Sequence, residues 1–293
     1  MSRPSLLRLT VVIALLAIHC GSHDAVAEDT KTCPTGCTCE RCRSGGWTAV
    51  ESANFRCLCW GKRSDTADIC KVCESLRVSL YTKWHGEKPG ANWTPKCEIV
   101  LYPDDDSYLR AVGAAGRSTV ASSLVSSSKD TVSTRRIDVR GTNREWSEGP
   151  FAHELTHIVI ADRFDLEQLP RWADEGMATF ADSEEKQKRH GRDLQSALRS
   201  GKVIRLGQLL PMTEYPRGEQ WGAFYGESLS LVKFLVERDS PKVFTEFLTT
   251  ARSSGFDEAL RKVYRIAGVA GLEREWTRSA ELGASTQVVR ASR

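Results

Sequence analysis

The chain has 293 residues, 40% of them hydrophobic and 27% charged, and a formal net charge of +3. This length predicts one large domain, or one domain with an appendage. The hydrophobic fraction, with eight tryptophans, is sufficient for a substantial core. The small net charge, with no basic block interleaved with aromatic residues, excludes nucleic acid as an expected partner.

Residues 1–27 have the pattern of an export signal. A basic start is followed by an apolar run from Leu9 to Ile18 and by the small-residue site Ala25-Val26-Ala27. The run is too short to span a bilayer with normal flanks. We therefore expect a mature chain without a membrane span, exported to the periplasm or the outside. A lipid anchor on Cys20 is the alternative, but His19 stands where a lipidation signal has a small residue.

All ten cysteines lie before residue 100, and one of them, Cys20, is in the predicted signal, which leaves nine. These nine are Cys33, Cys37, Cys39, Cys42, Cys57, Cys59, Cys70, Cys73 and Cys97. Such density in an exported protein predicts disulfides, and the odd number leaves at least one thiol outside them. Residues 28–46 are predicted to be a cysteine-rich linker, in which the tight spacing favours disulfides over a small zinc site.

Residues 47–147 are predicted to form an α/β part. Periodicity and capping predict a strand over 47–60, a helix over 66–85, and strands over 97–102, 119–126 and 132–140. Cys57 and Cys59 share one face of the first strand, and Cys70 and Cys73 lie one turn apart on the helix. We expect two disulfides between the two pairs. A structural metal held by four thiolates is the alternative, and thiol catalysis is the least favoured reading.

Asp104, Asp105 and Asp106 follow the strand over 97–102. Three acidic residues favour the start of a helix, because carboxylates are stabilised by the positive end of the helix dipole. An acidic trio also suggests calcium, but no glycine and glutamate follow at the spacing of a calcium-binding loop. The trio therefore predicts a helix start.

The sequence His153-Glu154-Leu155-Thr156-His157 is the centre of the chain's chemistry. Residues four apart on a helix share one face, so His153 and His157 can bind one metal ion. Glu154 beside them can reach a water held on that ion. Catalytic zinc takes three protein ligands and keeps one position open, and Glu175 is the candidate for the third ligand. A surface helix with two histidines explains the pentapeptide alone, but not the long apolar side of this helix.

His-Glu-Leu-Thr-His, followed after seventeen intervening residues by the glutamate of Trp-Ala-Asp-Glu-Gly-Met-Ala, resembles the gluzincin branch of zinc metallopeptidases. Within it, the chain is similar to poorly characterised secreted bacterial families of the peptidase MA superfamily. The resemblance implies an α+β, zincin-like fold, with a small mixed β-sheet subdomain followed by the HExxH helix and a mainly helical C-terminal subdomain. Aminopeptidases of the branch have eighteen intervening residues and an upstream Gly-x-Met-Glu-Asn motif. This chain has neither, so aminopeptidase activity is not implied.

The resemblance also implies further site residues. Tyr225, in Tyr225-Gly226-Glu227-Ser228, matches a family motif whose tyrosine is expected to stabilise the developing oxyanion. Tyr215 and His190 are the alternative candidates for this role. The motif is also compatible with Tyr225 as a core residue that has no catalytic role. The last strand before the metal helix, Thr134 to Val139, is expected to be an edge that pairs with extended substrate. An ordinary solvated edge is the competing reading.

A metal-bound histidine usually passes its other N–H to a carboxylate or carbonyl. Asp182, on the same face of its helix as Glu175, matches the position of such an acid in related enzymes. Asp162 and Asp174 are the alternatives.

Residues 148–282 are predicted to form the helical part that carries the metal site, followed by a tail over 283–293. Helices are expected from Pro150, from Pro170, and over 184–200, 218–239, 241–253, 256–265 and 271–282. The highly charged helix over 184–200 is expected to be solvated, with His190 in it.

Together these patterns predict an exported peptidase that binds one zinc ion per chain and acts on a peptide or protein substrate. A zinc-bound water would attack the peptide bond, with Glu154 as general base. One alternative is a non-catalytic zincin-like scaffold that carries a cysteine-rich binding module. Another is a zinc hydrolase of a non-peptide amide or ester. The sequence makes no prediction of oligomeric state.

Overall fold

The computed structural model describes residues 46–60, 66–128, 131–140, 149–164 and 166–291. The predicted signal over 1–27 and the linker as far as residue 45 lie outside the described residues. Contacts divide the chain into two compact units. The first unit extends to Arg77 and from Gly90 to Ile158, and the second comprises Val78–Pro89 and the residues from Val159 onward.

The first unit is built on a five-stranded sheet. Its strands are β1 (Trp47–Glu51), β2 (Phe55–Trp60), β3 (Cys97–Tyr102), β4 (Ala121–Ser128) and β5 (Thr131–Arg140). In spatial order they run β1-β2-β3-β5-β4. β2, β3 and β5 are parallel, whereas β1 and β4 are antiparallel to their neighbours. A small mixed sheet followed by helices confirms the predicted α+β, zincin-like fold.

The edge strand beside β5 is β4, so the prediction that Thr134 to Val139 form an edge is wrong. β5 pairs with β3 on one side and with β4 on the other. Two charged residues of β5, Arg136 and Asp138, are paired within the sheet. Arg136 Nη1 lies 2.7 Å from Glu98 Oε1, and its Nη2 lies 2.9 Å from Asp138 Oδ1. The last strand before the metal helix is therefore an interior strand, contrary to what the resemblance implies, and its Arg136 and Asp138 form a paired network.

The single strand predicted over 47–60 is a hairpin. Ser52, Ala53 and Asn54 separate β1 from β2, and the amide of Ser52 donates to the carbonyl of Phe55 at 3.0 Å. Asn54 is tied to the following helix, since its amide and its side chain both donate to Glu74, at 2.9 and 2.8 Å. The phase of the alternation changes between Val50 and Phe55, and this change is the sequence signal of the turn.

The first unit also contains helices with the predicted starts. Helix α1 (Thr66–His85), whose residues from Val78 belong to the second unit, has the predicted bounds, and α2 spans Asp105–Val112. Asp104 is the N-cap of α2, accepting from the amide of Ser107 at 2.7 Å. Asp105 pairs with Arg140 at 2.8 Å. These carboxylates have protein partners, so the structure gives the calcium alternative no support.

The five cysteines that the structure describes are buried, and no disulfide joins them. Cys57 Sγ lies 3.6 Å from Cys70 Sγ, a hydrogen-bond contact rather than a covalent bond. A hydrogen bond with Cys73, followed by burial, raises the pKa of the Cys57 thiol. Burial, with Cys57 beside it, raises the pKa of Cys70 to about 12. The two bridges are not confirmed, and these four cysteines do not form a possible metal-binding group among the described residues.

The second unit is helical in the residues described. Its helices are the C-terminal part of α3 (Pro150–Arg163), then α4 (Arg171–Thr179), α5 (Glu184–Ser200), α6 (Leu206–Leu209), α7 (Trp221–Arg238), α8 (Pro241–Ser254), α9 (Phe256–Ala259) and α10 (Gly268–Ala291). The helix predicted over 256–265 is α9 followed by a π-helical turn, Leu260–Tyr264. The backbone of α10 is helical as far as Ala291, which includes most of the predicted tail.

Helix α7 is the centre of the second unit, and two glycines allow neighbouring helices to approach it closely. A Cβ on Gly176 of α4 would lie 2.6 Å from the carbonyl oxygen of Ser228 on α7. A Cβ on Gly226 of α7 would lie 2.6 Å from the carbonyl oxygen of His190 on α5. Both glycines belong to the phrases that carry the family resemblance. Their immediate physical role is helix packing.

None of the helices in the described ranges combines the length and the apolar character needed to cross a bilayer.

Candidate metal centre

Helix α3 carries His153, Glu154 and His157. Pro150 is its first residue, a position where the missing N–H is not needed, and the amide of His153 donates to the carbonyl of Gly149 at 2.9 Å. Every residue from Phe151 to Ala161 is buried. Because both histidines are buried with the rest of this segment, the reading of the motif as a surface helix is wrong.

Helix α4 carries Glu175, and all nine of its residues are buried. Pro170 precedes it, as expected for a residue that cannot donate inside a helix. The helix is fixed by contacts from its first two residues. The amide of Arg171 donates to the carbonyl of Met212 at 2.8 Å, and the indole of Trp172 donates to the carbonyl of Leu210 at 3.1 Å.

The three predicted ligands form one group. One ligand atom each from His153, His157 and Glu175 lies within 4.8 Å of the other two. The two imidazole centroids are 5.0 Å apart, with ring planes at 76°. In the part of the chain that the structure describes, no other three histidine, cysteine or acidic side chains meet in this way.

The donor set fits zinc. Two imidazole nitrogens and one carboxylate oxygen are the ligands of a typical catalytic zinc site, and three protein ligands leave one position open. The exposed fractions of His153, His157 and Glu175 are 4%, 1% and 0%. Burying two imidazoles and a carboxylate together is costly unless they are paired or bind a metal ion.

The candidate general base, Glu154, is also buried and has a defined partner. The hydroxyl of Ser123, on strand β4, donates to Glu154 Oε2 at 2.6 Å. No motif or periodicity of the sequence points to Ser123. Its only sequence signal is its position in a strand that precedes the metal helix.

Tyr215 contacts the predicted ligand Glu175 directly. Its hydroxyl donates to Glu175 Oε1 at 2.5 Å. Burial, and then the negative charge of Glu175, raises the pKa of Tyr215 well above its usual value, so the phenol remains a neutral donor. The ring is stacked on Trp221, with centroids 5.1 Å apart. The structure thus gives Tyr215 a contact with a ligand, which the sequence could not reveal across 40 residues.

Tyr225 and His190 lie side by side. Their rings are stacked with centroids 5.3 Å apart, and Tyr225 also stacks on Trp221 at 5.9 Å. His190 is only 5% exposed, so the prediction of a solvated position is wrong. Burial lowers the pKa of His190 to about 4, which makes its imidazole neutral. The reason is the apolar stripe of α5, in which Leu194 and Ala197 follow His190 at helical spacing and are buried with it.

The three candidate acids for orienting a histidine are buried or half-buried and have protein partners. Asp162 accepts from the hydroxyl of Tyr81 at 2.5 Å. Asp182 pairs with Lys186 at 3.0 Å. Asp174 lies 3.6 Å from Arg171. The assignment of Asp182, with Asp162 and Asp174 as alternatives, stays a prediction.

An α+β zincin-like fold with two histidines and a glutamate grouped on successive helices is typical of metallopeptidases. The sequence model of the family described as the Peptidase MA superfamily matches residues 128–281, more than half of the chain. The chain belongs to the peptidase MA superfamily, and this membership indicates a peptidase. A comparison with curated proteins finds no match.

Proposed function

We propose that this protein is an exported, zinc-dependent peptidase, with His153, His157 and Glu175 as the metal ligands. The observation that carries the proposal is the grouping of their ligand atoms within 4.8 Å, in a chain of the peptidase MA superfamily. A zinc ion held there would supply Lewis acidity, polarising a carbonyl and lowering the pKa of a coordinated water.

Glu154 is the general base in this proposal. It follows His153 directly in the motif, and in the HExxH pattern the glutamate acts on the water while the histidines bind the metal. Glu154 removes a proton from the attacking water and returns it to the leaving nitrogen, so that one carboxylate serves both halves of the reaction.

Tyr225 is the proposed oxyanion stabiliser. Its ring is held on two sides by His190 and Trp221. A preorganised hydroxyl donor in a site without water contributes about 2 to 4 kcal/mol of transition-state stabilisation. Tyr215 is the weaker candidate for this role, because its hydroxyl is already donated to Glu175.

The substrate is an extended peptide, and we assign its pairing partner to β4. β4 is an edge of the sheet beside β5, and its Ser123 contacts the proposed general base. An open edge offers backbone hydrogen bonds to a peptide by strand addition.

Substitution of the general base tests the proposal. We expect Glu154→Gln to keep one zinc per chain and to lose turnover by at least about 100-fold, because general base catalysis contributes about 100- to 10,000-fold. The measurements are metal analysis and digestion of a mixed peptide pool. Chelation should abolish cleavage by the unmodified protein, and added zinc should restore it.

The matched control is Glu167→Gln, which changes an exposed glutamate just beyond the same helix. It should cleave like the unmodified protein. Turnover by Glu154→Gln at the control's rate would reject the mechanism. Cleavage of simple amides or esters but of no peptide would favour the non-peptide hydrolase instead.

A further inference from the structure

One buried hydroxyl of the sheet is directed at the proposed general base. Ser123 Oγ and Glu154 Oε2 are 2.6 Å apart, within the range of charge-assisted O–H···O bonds. Ser123 is 3% exposed and Glu154 is 4% exposed. In such surroundings a hydrogen bond to a carboxylate is stronger than in water, since no solvent competes for the oxygen.

We propose that Ser123 is a positioning residue that fixes the orientation of the Glu154 carboxylate, an inference that rests on the proposed function. The last torsion of a glutamate side chain has a broad preference, so the carboxylate plane is not set by the side chain itself. A hydroxyl bound to Oε2 fixes that plane and leaves Oε1 for the attacking water. Catalytic geometry requires this kind of support from surrounding residues.

Pairing of β4 with β5 fixes the position of the Ser123 backbone, from which the hydroxyl extends. Ser123 is in register with Ile137 of β5, whose side chain is fully buried. Successive residues of a strand point to opposite faces, so Ser122 points away from the face that carries Ser123. Ser122 is also buried, at 8% exposure.

The first test is a series of single variants of the zinc-loaded protein. Ser123→Ala should keep one zinc per chain and lower kcat by about 10-fold or more, with KM changed by less than about twofold, since the proposed role concerns the reacting geometry rather than substrate binding. Ser123→Thr keeps a hydroxyl and should recover most of kcat. Ser254→Ala, at an exposed serine at the end of α8, should retain the kcat of the unmodified protein. An unchanged kcat in Ser123→Ala would overturn the proposal.

A kinetic double-mutant cycle separates positioning from general stabilisation. In a Glu154→Ala background, Ser123→Ala should cause no further loss of the residual turnover, because the carboxylate that it positions is gone. The same fold-loss in both backgrounds would show that Ser123 acts elsewhere and would overturn the proposal.

A third measurement does not depend on activity. Urea unfolding midpoints of the metal-free protein are compared for Ser123→Ala, Glu154→Ala and the double variant, and the two shifts should not add, since the residues are in contact. Additive shifts would show that Ser123 and Glu154 do not interact, and would overturn the proposal. If zinc-loaded protein cleaves no peptide while the shifts remain non-additive, the proposed function fails and the catalytic role of Ser123 fails with it, although the contact stands.

Discussion

At the scale of single residues, the proposed metal ligand Glu175 is positioned by a contact with one tyrosine. Tyr215 donates to the same carboxylate that we propose as a metal ligand, and its own ring is supported by Trp221 and by the Arg171 guanidinium, 4.8 Å from the ring centroid. Partners of metal ligands orient the ligand and tune its basicity. Tyr215 therefore belongs to the metal site through Glu175, a role that its place in a loop sequence does not suggest.

Removing the Tyr215 hydroxyl should weaken metal binding more than turnover. We expect Tyr215→Phe to lower zinc affinity by about 10- to 100-fold, while kcat at saturating zinc changes little. Zinc titration with a competing chelator measures the affinity. Tyr264→Phe is the control, since the Tyr264 hydroxyl is buried without a hydrogen-bond partner among the described residues. A large loss of kcat with unchanged zinc affinity would instead identify Tyr215 as the oxyanion stabiliser.

Glu227 should make stability depend on pH. Burial raises its pKa from 4.5 to about 8, and its Oε1 accepts from the amide of Ile204 at 2.8 Å. The folded chain holds this proton more tightly than the unfolded chain. Its contribution is therefore complete below pH 4.5 and is lost as pH rises toward 8, at about 1.4 kcal/mol per pH unit.

We expect Glu227→Gln to remove this slope while keeping an acceptor for Ile204. Urea unfolding should show the variant gaining stability over the unmodified protein as pH rises from 6.5 to 8. Glu258→Gln, at an exposed position, is the control. Parallel stability curves for Glu227→Gln and the unmodified protein would contradict the prediction.

At the scale of helices and strands, local signals were sufficient for many boundaries. Residues 66–85 and 184–200 were predicted as helices with the bounds that the structure has, because caps and apolar stripes are encoded nearby. The HExxH spacing likewise placed two ligands on one helix face. Strand order is different, since it depends on which distant segments pair. Alternation says which residues of β5 share a face, but not that β4 returns to cover its outer edge.

The same limit applies to the site. Ser123 and Glu154 are 31 residues apart, and Tyr215 and Glu175 are 40 apart, so no periodicity or motif links them. His190 was assigned to solvent because charged residues surround it in sequence. The few apolar positions of α5 decide its burial instead.

Packing between helices should be sensitive to one methyl group at Gly176. An added Cβ would lie 2.5 Å from Val232 Cγ2 as well as 2.6 Å from the Ser228 carbonyl oxygen, and the backbone atom cannot move aside easily. We expect Gly176→Ala to lower the free energy of unfolding by about 1 to 3 kcal/mol or more.

Gly191→Ala is the matched control for this substitution. It also lies within a helix, but nothing is within 4 Å of its added Cβ. Alanine is the better helix former, so this variant should be more stable by about 0.5 to 1 kcal/mol. Equal unfolding midpoints for the two variants would argue against close packing of α4 on α7.

At the scale of the whole molecule, the two parts of the chain differ in cysteine content and therefore in how they can be stabilised. All cysteines lie before residue 100, whereas the residues from 99 onward rely on packing and on the proposed metal. Disulfides form and persist in oxidising compartments. The cellular location of the protein therefore decides whether the buried thiols of the first unit remain thiols.

The signal pattern predicts that location. When the full chain is expressed in a bacterial host, we expect the mature protein outside the cytoplasm and beginning at Glu28, because Ala25-Val26-Ala27 has the residues of a cleavage site. Cell fractionation with intact-mass analysis measures both. A chain lacking residues 1–27 should stay in the cytoplasm. Retention of the full chain in the cytoplasm would contradict export.

The complete burial of α3 from Phe151 to Ala161 determines which parts of a peptidase of this kind are open to digestion by other copies of it. Peptide bonds are presented for cleavage as extended, accessible backbone. Here the segment that carries the chemistry is coiled into a helix, and every one of these residues is shielded. Neighbouring copies at high concentration can therefore attack loops and ends before they reach this segment, so autolysis should trim the periphery and leave the catalytic machinery intact.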